Sequence, residues 1–189
     1  MCLITATATP DDRLRTPAAI LEAAARLLAE DGDASMADLA GAAGVGRATL
    51  YRYYPNREAL LAALTAEALD ELARRLADAG LETVGVEEAI GRIVRAVLTV
   101  GDRYAVLVRE RVKADPATRE RAFTEPIRRV LERGIDEGLL RGDFPVDVQL
   151  ALFGGVLQAG VRLAGERRLG HEDAAAAVTR AYLDGARTP

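Results

Sequence analysis

The 189-residue chain has no tryptophan, one cysteine, one histidine, and aromatic residues at only 4% of positions. A lone cysteine excludes a disulfide framework. With one histidine beside it, a structural zinc site would need carboxylates, which zinc rarely accepts alone. Neither a metal nor a cofactor is therefore expected. Cys2 reads as incidental. The same poverty of nucleophiles and bases, with no phosphate-cradling glycine loop, argues against an enzyme. The first residues, Met1 to Thr7, lack both the basic start and the long apolar run of a secretory signal. The most apolar stretch, Leu150 to Gly165, is interrupted by Gln158 and Arg162 and is too short to span a bilayer. A cytoplasmic protein without a membrane partner is the expectation. The scarcity of aromatic rings also leaves little for a flat polyaromatic ligand to stack on.

What is abundant points to helix. Half the residues are hydrophobic, enough for a real core, and 37 are alanine and 24 arginine against a single lysine, Lys113. The arginine bias reads as coding composition. No stretch alternates apolar and polar residues long enough to demand a strand, so the chain is read as all-α.

Residues 1–14 read as a flexible arm. Thr16-Pro17 looks like an N-cap followed by proline at the first helical position, and Ile20, Ala24, Leu27 and Leu28 mark one apolar face up to a stop at Gly32. Ser35 and Asp38 have capping-box spacing for a short helix ending at Ala43-Gly44. A third helix carries Arg47 to Tyr53, and Asn56 caps a long fourth one reaching about Ala79. Beyond residue 80, helices are expected over Val86–Val100, about Asp102–Lys113, a short piece from Asp115-Pro116, Thr124–Gly138, about Val146–Glu166, and His171–Gly185. His171, followed by Glu172 and Asp173, reads as a helix-start or solvated residue.

The informative segment is Met36 to Pro55. A helix-turn-helix needs an apolar anchor, a small residue where two short helices touch, a turn glycine, and apolar anchors on the second helix. Leu39, Ala40, Ala43, Gly44, Val45 and Leu50 supply these in order, with Tyr53 or Tyr54 completing the anchor. The outer side of the second helix then offers Arg47, Thr49, Tyr51 and Arg52, residues that bond base edges and phosphates. Arg57, in the first turn of the fourth helix, is placed to favour an anion. Net charge is −4, yet residues 39–57 contain three arginines and no acid. Exposed charges farther than ~10 Å are largely screened, so local charge decides, and it is basic.

These residues carry a resemblance. Ile20 to Leu28, Met36 to Val45, and Thr49-Leu50-Tyr51-Arg52-Tyr53-Tyr54-Pro55-Asn56-Arg57-Glu58-Ala59-Leu60-Leu61 together resemble the DNA-binding region of the TetR family of bacterial transcriptional regulators. The resemblance covers about residues 15–64. The connection from Gly32 to Ser35 is about two residues shorter than common and lacks the usual aromatic. Gly46 replaces the frequent Ser or Thr cap, a weaker start for the recognition helix. The resemblance implies about nine helices. These form an N-terminal three-helix helix-turn-helix domain (15–62) and a C-terminal helical effector-binding and dimerisation domain (63–189). It also implies a homodimer on a palindromic operator in double-stranded DNA, acting as a repressor that a small-molecule effector releases. Arg47, Ala48 and Thr49 fall where the family reads bases, Tyr51, Arg52 and Tyr53 where it touches backbone or bases, and Arg57 where it grips phosphate. Arg13 and Arg15 could reach adjacent phosphates or the minor groove.

In the second domain, Ile93, Val97, Tyr104, Leu107, Phe123, Ile127 and Leu157 are the candidate pocket residues. Ala151, Leu152, Gly155, Val156, Ala159 and Leu163 form one broad small or apolar face. Ala174 to Val178, including Ala175 and Val178, form another with Tyr182. Such faces suit either intramolecular core or a homodimer four-helix bundle. The rival to the regulator reading is a helical small-molecule-binding or scaffold dimer with a vestigial helix-turn-helix.

Overall fold

The computed structural model describes residues 10–101, 116–166 and 168–188, with side chains from residue 17 onward. The chain divides into two compact units, residues 1–64 and 65–189. Among the described residues there is no strand; a single isolated bridge pairs Leu140 with Arg187.

The first unit contains α1 (Pro10–Glu30), α2 (Met36–Ala42), α3 (Arg47–Tyr53) and the start of α4 (Arg57–Asp78). Helix α1 begins seven residues before Pro17, so residues 10–14 are helical rather than arm-like. The rule that lets proline open a helix applies equally to Pro10. The helix then runs through Pro17, which forfeits one backbone hydrogen bond. Ile20, Ala24 and Leu28 are fully buried, as are Leu39 of α2, Leu50 of α3 and Leu60 and Leu64 of α4. The expected capping box is present: Ser35 Oγ accepts from the Asp38 N–H at 3.3 Å, and Asp38 Oδ2 accepts from the Ser35 N–H at 2.9 Å. The Ser35 hydroxyl also donates to Asp38 Oδ2, at 2.6 Å, and this bond, then the one from the Ser35 N–H, holds the Asp38 carboxyl below its ordinary pKa, with a smaller contribution from the charge of Arg47. Asn56 caps α4, its Oδ1 accepting from the Ala59 N–H at 2.8 Å.

The second unit contains the rest of α4, a 3₁₀ turn (Leu81–Thr83), α5 (Val86–Thr99), a helical stretch described below, α7 (Val146–Gly165) and α8 (His171–Ala186). The middle stretch is continuous from Pro116. An α turn (Pro116–Arg119) passes through a π turn (Glu120–Thr124) into α6 (Glu125–Asp136), instead of a fresh start at Thr124. In that wide turn the Glu125 N–H reaches the Glu120 carbonyl, five residues back. Pro126 explains the irregularity. Its ring would collide with the carbonyl four residues earlier in a regular helix and it has no N–H to give, so an extra residue in the turn relieves the clash. The expected helix at about Asp102–Lys113 lies outside the described residues.

Helices α5, α6, α7 and α8 and the C-terminal part of α4 share one packed core. It includes Leu72, Ile90, Ile93, Val97, Ile127, Leu131, Phe153, Leu157, Val178 and Tyr182. Helices α7 and α8 approach closely at Gly160, where an added Cβ would collide with Val178. Phe153 meets the Tyr182 ring edge to face at 4.8 Å. The buried Tyr182 hydroxyl donates to Gln149 Oε1 at 3.3 Å, and Gln149 Nε2 donates to the Arg141 carbonyl at 2.7 Å. Burial pushes the Tyr182 phenol up to about 12. The Arg141 N–H bonds the Ala186 carbonyl at 2.8 Å and the Thr188 N–H bonds Leu139 at 3.1 Å, so the end of α8 is fastened to the turn before α7.

Candidate nucleic-acid interface

The site is built by the turn between α2 and α3. Helix α2 ends on Ala43 and the chain reverses at Gly44, whose φ of +65° is the left-handed conformation that costs glycine least. The Gly44 N–H returns to the Gly41 carbonyl and the Val45 N–H to the Ala40 carbonyl, each at 3.0 Å. This pair of bonds satisfies the carbonyls at the end of α2 in the Schellman pattern. Gly46 then opens α3 without a side-chain cap. Ala40 is buried, and Leu50 has no exposed surface at all.

With Leu50 fixed inward, the remaining positions of α3 are sorted by the helical repeat. Arg47, Ala48, Tyr51 and Arg52 are exposed; Thr49 and Tyr53 are half-buried. Tyr51 is the most conspicuous, a large ring 47% exposed with no core to fill. The Arg52 guanidinium lies over the Tyr53 ring, 5.1 Å from its centroid. This cation–π contact restricts the side chain without neutralising it. The inward tyrosine is Tyr54, which is buried and donates its hydroxyl to the Pro17 carbonyl at 3.4 Å.

Arg57 has a different position from its neighbours. Its guanidinium is half-buried and donates to the Ala34 carbonyl at 2.6 Å and to the Gly32 carbonyl. It therefore fastens the α1–α2 connection to the start of α4. The side chains of Arg13 and Arg15 lie outside those described.

The other expected residues divide sharply. Ile93, Val97, Ile127 and Leu157 are buried in the core of the second unit. Phe123 is half-buried, and Tyr104 and Leu107 lie outside the described residues. Ala175, Val178 and Tyr182 also face the chain's own core, which corrects the expectation that they form an outward interface. On α7, by contrast, Val156, Ala159 and Leu163 are half-buried and Leu152 is 54% exposed. Sequence reasoning missed a cleft of about 350 Å³ lined by α4, the 3₁₀ turn, the π turn and the start of α6, including Leu76, Leu81, Arg121 and Pro126. Its residues come from two separated segments, 73–82 and 121–129, and no local pattern links them.

Fold and site together define a DNA-binding regulator of the helix-turn-helix class. Residues 20–64 match the family described as bacterial regulatory proteins, tetR family. The chain is 36% identical over 156 residues, 80% of each chain, to the HTH-type transcriptional repressor LfrR of Mycolicibacterium smegmatis. It is 28% identical over 142 residues to the HTH-type transcriptional repressor AcnR of Corynebacterium glutamicum, covering 68% of this chain and 71% of that one. The crystal structure of the TetR-like regulator LfrR from Mycobacterium smegmatis in complex with proflavine superposes with a TM-score of 0.76 at 31% identity. That match covers 94% of this chain and 99% of the other. The chain belongs to the TetR family of transcriptional regulators.

Proposed function

We propose that the chain is a repressor that binds a palindromic operator as a homodimer and is released by a small-molecule effector. The observation that carries this reading is the outer face of α3. Arg47, Ala48, Tyr51 and Arg52 stand exposed on a short helix anchored by a fully buried leucine, in a stretch without a single acid. Arg47, Ala48 and Thr49 contact base edges, with arginine suited to the O6 and N7 of guanine. Tyr51, Arg52 and Tyr53 contact phosphate or bases, fixing register on the duplex. Arg57 supports these contacts chiefly by holding the connection before α2, because its donors already serve two carbonyls.

The homodimer reading rests on α7. An 18-residue stretch of this helix has a mean hydropathy of 1.3, yet only 28% of it is buried inside the chain. Val148 and Leu152, one turn apart, are 42% and 54% exposed. A second copy covering this face joins Val148, Leu152, Val156, Ala159 and Leu163 to their twins. The outward small residues Ala177 and Ala181 of α8 let helices approach. Reading two half-sites of a palindrome, one DNA turn apart, requires two such chains. LfrR was crystallised with proflavine, which supports a small-molecule effector here. Helix α4 begins in the first unit and ends in the second, so a ligand beside its C-terminal part can bias the heads. Moving that equilibrium from 1:99 to 99:1 takes about 5.5 kcal/mol of differential affinity.

Sedimentation of the full chain with a selected duplex tests the reading. Two chains per palindrome, and loss of binding when the half-site spacing changes by five base pairs, are expected. One chain per duplex, indifferent to spacing, would overturn the homodimer.

A further inference from the structure

We propose that the cleft beside the C-terminal end of α4 binds a small amphipathic anion, a carboxylate with an apolar tail, and that Arg121 receives the carboxylate. This names the chemistry of the effector and therefore rests on the ligand-release reading above. The cleft holds about 350 Å³, within the range of small-molecule sites. One wall is held from behind. Arg92 Nη1 donates to the Ala79 carbonyl at 2.7 Å, and Arg133 Nη2 donates to the carbonyls of Leu81 and Val84 at 3.1 and 2.9 Å. The turn that ends α4 is thus fixed before any ligand arrives. The facing wall is the wide turn before Pro126, which brings Arg121 and Ala122 to the cleft.

The lining sorts by charge. Leu76, Leu81, Ala122 and Pro126 offer apolar surface, and no aromatic ring is among the lining residues. Both acids of the lining are engaged: Glu125 with Arg129 at 2.9 Å and Glu82 with Arg133 at 3.7 Å. Among the described residues, Arg121 has no hydrogen-bond or ion-pair partner. The cleft therefore presents one uncommitted guanidinium beside an apolar floor. A guanidinium takes a carboxylate through two parallel N–H bonds. A cation meets repulsion there, and a flat ring finds no stacking partner.

Equilibrium dialysis of the full chain against octanoate, octanol and octyltrimethylammonium, with proflavine as a fourth probe, tests this. Saturable octanoate binding is expected, at least about tenfold tighter than octanol, the gain of one charge-assisted contact. Arg121→Gln should weaken octanoate by a similar factor and leave octanol unchanged, and Arg121→Lys should restore part of the loss. Arg121 is exposed, and an unchanged melting temperature shows that the variants fold. Absence of octanoate binding, equal binding of the cationic probe, tighter proflavine binding indifferent to Arg121, or an Arg121→Gln variant that binds as wild type each overturns the proposal. Release of operator DNA, measured separately by fluorescence anisotropy, separates the two readings. Octanoate that binds through Arg121 without releasing DNA keeps the site and removes the release mechanism. Release by a cation while octanoate fails to bind does the reverse.

Discussion

Helices α3 and α7 both expose large side chains, for opposite reasons. On α3 one leucine is buried and the opposite side is cationic and hydroxylated, chemistry that water tolerates and a phosphate backbone prefers. On α7 the inward side holds Phe153, Leu157 and Val161, and the outward side is apolar too, at Val148 and Leu152. An exposed polar face can wait in solvent for its partner. An exposed apolar face gains by being covered, and in the proposed homodimer a second copy covers this one. Under the proposed function, one unit thus carries a surface for intermittent contact and the other a surface for lasting contact.

Adjacent residues on α7 give the largest test of that contrast. Phe153→Ala removes a 1% exposed ring from the core and should cost about 3–5 kcal/mol, read by chemical denaturation. Second comes an alkaline transition centred on Tyr182. Its phenol is pushed up to about 12 by burial, so its neutral form stabilises the fold fully below the ordinary value near 10. That contribution falls as the pH rises from about 10 toward 12. Up to roughly 3 kcal/mol should disappear across this window, and Tyr182→Phe should flatten the profile in a pH series of melts. Third, Arg47→Ala should cost about 1–3 kcal/mol on a selected operator and relax preference at one base position, with no change in melting temperature. Fourth, Ser35→Ala removes the α2 cap and should cost about 1 kcal/mol. Smallest in stability is Leu152→Asp, next door to Phe153. It should shift the stability of the isolated chain by no more than about 0.5 kcal/mol while halving the sedimenting mass. If Leu152→Asp instead destabilises the chain as Phe153→Ala does, the two-sided reading of α7 is wrong.

The first unit was far more legible in sequence than the second, and the reason is range. Ser35 with Asp38, Gly44 with Ala40, and Leu50 within α3 act across three to six residues, so spacing alone places them. Arg57 shows where that logic stops. Its charge and its place at the start of α4 suggested a phosphate, but its acceptors are carbonyls 23 and 25 residues away, outside any local pattern. In the second unit, α7 is apolar on most sides, so periodicity cannot tell Leu152 from Phe153; only the packing of α8 decides. Ala175, Val178 and Tyr182 were read as a possible interface on the same ambiguous evidence, and Gly160 and Phe153 draw them into the core instead. The cleft at Arg121 is invisible in sequence because a helix is expected to start at Thr124, whereas the helical stretch runs on from Pro116 through a wide turn.

The central claim, that the outer face of α3 reads DNA sequence, is tested most directly by selecting bound duplexes from a random pool with the full-length chain. The account predicts enrichment of an inverted repeat with half-sites about one helical turn apart, and a changed motif when Arg47→Ala is used. A pool that stays random even at low ionic strength, or the same motif from both proteins, would contradict it.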